Sequence, residues 1–220
     1  MADSPANVAH AYGYLTPPEV RFLDAAVARL IPADELGPGA READVTYFID
    51  RQLTSSWGTH GRSYRMGPWR EGTAQQGFQS PLTPQEIYRV AIREIDRYCR
   101  SRYAKNFNLL TAAGQDEVLR GLEEGKIALE SVSAKLFFGL LLKNTQEGFF
   151  SDPVHGGNRG KVGWRLIGFP GVAASNYNAF ISKRNVPYEV EPVSIEDVLQ
   201  QRVKVDAQGY PKHVPLGKKN

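Results

Sequence analysis

The sequence predicts an all-α fold: an irregular helical bundle with long loops rich in glycine and aromatic residues. Three observations lead there. Helix-start patterns recur ahead of apolar residues at helical spacing, no segment alternates like a strand ladder, and two glycine- and aromatic-rich stretches have no period at all. A single domain over 1–220 is expected, with a helical core at about 15–150. A glycine-rich docking segment and an extended C-terminal part follow at 151–220.

The first helix starts at Thr16-Pro17-Pro18-Glu19, where Thr16 caps, the prolines suit the first turn and Glu19 completes a capping box. Val20, Leu23, Val27 and Leu30 form its apolar stripe, and Pro32 with Gly37-Pro38-Gly39 ends it. A second helix is expected from about 41 to 53, on Val45, Phe48, Ile49 and Leu53. Residues 54–84 break the pattern with five glycines and with Trp57, Tyr64, Trp69 and Phe78. About thirty aperiodic residues is long for a loop in a compact domain, and disordered segments are poor in aromatics, so this loop is expected to be ordered against a surface.

Thr83-Pro84-Gln85-Glu86 repeats the capping box and opens a long helix to about Tyr103, with Cys99 packed inside it. A further helix spans about 112–124. The stretch 133–147, with Phe137, Phe138, Leu140, Leu141 and Leu142 covering most of its circumference, is expected to be central. Residues 151–171 then hold six glycines in 21 positions, read as backbone turns that let other chains come close. A short helix is expected around 174–182 and another capped turn at Ser194 to Leu199. The tail from 201, with net charge +4, is expected to lie on the surface.

Composition removes several functions. The longest apolar run, 136–142, has seven residues where a membrane span needs about twenty. One cysteine rules out a disulfide framework, a Cys-ligated iron–sulfur centre and a four-cysteine zinc site within the chain. With 27 Lys and Arg against 24 Asp and Glu, a net charge of +3 does not point to nucleic acid. The first fourteen residues show no basic or apolar targeting pattern.

The chemical motifs fail on particular residues. A phosphate-binding loop at 155–162 would need glycine and a hydroxyl where His155 and Val162 stand. The dinucleotide fingerprint is absent. His10, His60, His155 and His213 are dispersed, with no pair at i+3 or i+4, and Cys99 lies on an inward helix face where a nucleophile is out of place. No cofactor and no metal is expected in this chain. Recognition chemistry remains. Trp57, Tyr64, Arg65, Trp69 and Arg70 form one candidate partner-binding set, and His155, Asn158, Arg159, Trp164 and Phe169 form a second. Trp, Tyr and Arg dominate interface hot spots because they bury large area and offer directional donors.

The strings Asp152-Pro153, Gly156-Gly157-Asn158-Arg159 and Gly163-Trp164-Arg165-Leu166-Ile167-Gly168-Phe169-Pro170-Gly171 carry a resemblance. The chain resembles the gluconate 2-dehydrogenase subunit 3 family over about 15–198. The resemblance implies a non-catalytic small subunit of a heteromeric oxidoreductase acting on CH–OH groups of sugars or sugar acids. Its partner would be a large FAD-binding subunit of the GMC type, with a haem-carrying cytochrome c subunit in some assemblies, and its role would be to support folding and export of the flavoprotein. Family members usually begin with a twin-arginine signal, which this chain does not show. The expected location is therefore the periplasm or a membrane-associated complex if a signal has been removed, and the cytoplasm if the chain is complete. Two alternatives stand beside this reading. One has His155 or Asn158 reaching a sugar at the partner's substrate entrance; the other is a stand-alone helical binding protein.

Overall fold

The computed structural model describes residues 10–61, 66–70, 73, 80–172 and 187–216. Among them are seven α-helices: α1 (Pro17–Leu30), α2 (Val45–Thr54), α3 (Pro84–Tyr103), α4 (Ala112–Glu124), α5 (Ala134–Phe150), α6 (Val162–Ile167) and α7 (Ile195–Leu199). Single turns of 3-10 helix lie at Phe107–Leu109, Pro153–His155 and Arg159–Lys161, and the described residues contain isolated β-bridges but no sheet. The all-α expectation holds. The short helix expected around 174–182 lies outside the described residues.

Both predicted capping boxes form. Thr16 and Thr83 donate their backbone N–H to Glu19 and Glu86 at 2.8 and 2.7 Å. Glu19 also receives Arg89 at 3.0 Å, which ties the start of α1 to α3. The helix expected from 41 instead begins at Val45. Asp44 sits in the left-handed region (φ 58°), and 40–44 is a turn held by Ala43 N–H to Gly39 C=O and Val45 N–H to Ala40 C=O.

α5 is central as expected and touches α1, α2, α3, α4 and α6. Its Phe137 meets Phe22 and Tyr88 at centroid separations of 6.4 and 5.5 Å, and Phe107 closes on Phe22 at 4.7 Å. Burying each such side chain stabilises the fold by roughly 1.5–3 kcal/mol. Cys99 is fully buried on α3, and burial, with Asp96 adding to it, pushes its thiol up to about 12.

Two segments outside the bundle are strapped to it. Residues 13–15 donate three backbone N–H groups to the Asp50 carboxylate on α2, at 2.7, 3.0 and 2.8 Å. The stretch 187–216 is held by Val172 N–H to Val193 C=O and Val193 N–H to Pro170 C=O, and Leu216 N–H to Glu189 C=O closes it on itself. As expected, most of its residues from 201 onward are exposed. No helix among the described residues is long and apolar enough to cross a membrane.

Candidate functional site

The glycine-rich segment is built around one asparagine. Asn158 has φ 49° and is 0% exposed. Its Nδ2 donates to Ser151 C=O and its Oδ1 accepts from Gly163 N–H, both at 2.8 Å. Two glycines on either side let this segment meet the end of α5 backbone to backbone. A Cβ on Gly157 would stand 2.3 Å from Gly148 C=O, and one on Gly163 would stand 2.1 Å from Phe149 C=O.

That contact launches α6, a helix where the sequence predicts only backbone turns. Trp164 is its internal anchor: it is 5% exposed, and its indole N–H donates to Phe150 C=O at 2.7 Å. Phe169 returns edge-on to the Trp164 ring at 5.1 Å, while Gly168 (φ 68°) ends the helix. A six-residue helix buries only one side, and Trp164 takes it. Leu166 is left 49% exposed, Ile167 59% and Phe169 44%. Beside them a groove of about 500 Å³ runs between the end of α1 and α6, lined by Leu30, Ile31, Leu36, Phe149, Val162 and Leu166, with Asp34 and Arg165 as its charged residues.

The candidate residues divide accordingly. Phe169 lies on the apolar tip, and His155 is exposed at the end of a 3-10 turn. Trp69 and Arg70 are exposed, whereas Trp57 is half-buried against the core. Tyr64 and Arg65 lie outside the described residues. Asn158 and Trp164 must be corrected as contact residues, because both are internal and spend their polar atoms within the chain. Arg159 sits 3.5 Å from Asp44. Leu36, Leu166 and Ile167 were missed. The signal was present: four apolar residues crowd Val162, Trp164, Leu166 and Ile167 between glycines, too many for one short helix to bury.

A polar cleft of about 430 Å³ lies under the same segment, lined by His10, Asp44, Tyr47, Arg51, Arg159 and Glu196 among others. His10 stacks on Tyr47 at 4.0 Å and donates from Nε2 to Asp44 at 3.0 Å, and Arg51 donates to Val154 C=O. Several of its charged groups are thus spent on one another. Among the described residues no three His, Cys, Asp or Glu side chains group as metal ligands would.

The structure thus defines a helical domain that ends in a rigidly held apolar tip. The model of the family described as gluconate 2-dehydrogenase subunit 3 matches residues 17–171, from the start of α1 to the last glycine of the glycine-rich segment. The chain belongs to that family, which is named for one subunit of a larger enzyme. No curated protein and no solved structure matches it.

Proposed function

We propose that this chain is the non-catalytic small subunit of a heteromeric FAD-dependent oxidoreductase acting on CH–OH groups of sugars or sugar acids, and that it stabilises the large flavoprotein subunit. The flavin belongs to that GMC-type partner, and a cytochrome c subunit with its haem completes some assemblies.

The supporting observation is the outward set Leu166, Ile167 and Phe169. These residues stand on a platform whose inward groups, Asn158 and Trp164, are fully satisfied. A preorganised apolar tip loses little conformational freedom on docking, so most of its burial appears as affinity. Completing the burial of three half-exposed side chains contributes on the order of 1 kcal/mol each. Asp34 and Arg165 beside the groove set orientation through charge rather than affinity. A stable interface of standard size covers about 1,600 Å² in total, so the groove and the tip would be buried together.

The test is co-expression with the flavoprotein subunit. Leu166→Asp with Ile167→Asp should abolish co-purification and lower the yield of soluble flavoprotein, while the thermal melt of the isolated small subunit stays unchanged. Co-purification at the wild-type level, or a flavoprotein equally stable and active without this chain, would reject the reading.

A further inference from the structure

We propose that the cleft between α2, α5 and the turn after α2 binds a pyranose ring, with Trp57 as the stacking wall. The cleft measures about 330 Å³ and is lined by Gln52, Trp57, His60, Lys143, Asn144 and Glu147, with Pro84 and Leu140 adding apolar surface. It shares no lining residue with the apolar groove, so the inference does not depend on the docking of a partner there.

The cleft is rigid before any ligand arrives. Trp57 N–H donates to Ser55 Oγ at 3.1 Å, and Trp57 C=O accepts from His60 N–H at 3.2 Å. The turn is drawn tight at Gly58, where a Cβ would fall 1.9 Å from Leu53 C=O. Gln85 pins it from α3: its N–H donates to Gly58 C=O at 3.1 Å and its side chain to Leu53 C=O at 2.7 Å. On the opposite side, Leu140, Lys143, Asn144 and Glu147 recur at i, i+3, i+4 and i+7, one face of α5. The buried Tyr88 hydroxyl donates to Asn144 Oδ1 at 2.7 Å, which fixes the carboxamide so that Nδ2 donates to Glu147 at 3.2 Å.

The chemistry on offer selects the ligand. Among the described residues, the Gln52 carboxamide and the Trp57 indole N–H make no hydrogen bond, so they present unspent donors and an acceptor. Lys143 and Glu147 lie 3.8 Å apart and offset each other's charge. An aromatic wall beside apolar Leu140 and Pro84, facing the Gln52 carboxamide and the paired Lys143 and Glu147, fits a ring with a flat C–H face and hydroxyls around its edge. The polar cleft under the glycine-rich segment offers no such set, because His10, Asp44 and Arg159 are engaged with one another.

Saturation-transfer NMR on the purified full chain tests this, with methyl β-D-glucopyranoside as the probe and gluconate as an open-chain comparison lacking the ring face. The pyranoside should give a saturable signal and gluconate a much weaker one. Glu147→Ala and Gln52→Ala, both on the bundle surface, should each weaken pyranoside binding about tenfold, the loss of one hydrogen bond to the sugar. Trp57→Ala should abolish it, with circular dichroism confirming the fold. No saturable pyranoside signal, equal binding of gluconate, or binding unaffected by both polar substitutions would overturn the proposal.

Discussion

At the scale of single residues, neighbours in one short motif carry opposite burdens. Asn158 bridges Ser151 C=O and Gly163 N–H from a fully buried position, so Asn158→Ala leaves a buried N–H and a partly buried C=O without their Asn158 partner. It should cost about 2–4 kcal/mol, read as a lower urea midpoint at unchanged slope. His155, three positions earlier and exposed, should tolerate alanine within about 0.5 kcal/mol in the same experiment. The sequence marks both as polar residues among glycines, and nothing local separates them. Only packing against the end of α5 does. Cys99 shows the reverse case, where sequence sufficed: a small apolar-like residue on the inward face of a long helix. With its thiol raised to about 12 by burial, it should resist iodoacetamide at pH 8 in the folded chain and react on addition of denaturant.

At the scale of elements, legibility follows how local the determinants are. α1 and α3 are announced by capping boxes, in which side chain and backbone three residues apart satisfy each other, and the structure forms both as read. α7 is announced the same way by Ser194 and Asp197. α6 is not, because a glycine is buried against Phe149 C=O inside it and Lys161 precedes it in the left-handed region (φ 58°). Long-range contacts hold it. The late start of α2 has the same origin: Asp44 adopts φ 58° where His10 and Arg159 approach its carboxylate. The C-terminal segment is docked in part by a charged pair that the sequence could not place, Lys161 Nζ to Asp197 Oδ2 at 2.8 Å, with a further bond from Lys161 to Pro192 C=O at 2.7 Å. Burial alone would raise the Asp197 carboxyl. The hydrogen bonds from Lys161 and Ser194 outweigh it and hold the group down at about 2. An unfolded aspartate titrates at about 3.9, so the stability from these bonds to Asp197 is complete above that pH and is lost as pH falls from about 4 towards 2. The contribution is on the order of 2 kcal/mol. Lys161→Met should remove the Lys161 share of it at neutral pH and raise amide exchange across 187–202, while wild type shows such loosening only in acid.

At the scale of the molecule, the folded chain closes one core around α5 and still leaves Leu36, Leu166, Ile167 and Phe169 in water at one end. Scattered exposed apolar residues are ordinary, but here three of the four stand on one short motif whose backbone is fixed from both sides, and Leu36 lines the same groove as Leu166. Under the subunit reading this end is finished by the partner, and mass action then sets how the isolated chain behaves. A partner that binds only the folded chain stabilises it by about 2.7 kcal/mol at one hundred times its dissociation constant. For a domain of this size each kcal/mol moves the melting midpoint by about 2–4 °C. Adding the flavoprotein subunit in that excess should therefore raise the midpoint of this chain by about 5–11 °C, and the shift should grow with partner concentration. The Leu166→Asp, Ile167→Asp double variant should melt like wild type alone and show no shift with partner. A midpoint independent of partner concentration in the wild-type chain would mean that the exposed end is finished by nothing in that complex, and the subunit reading would fall with it.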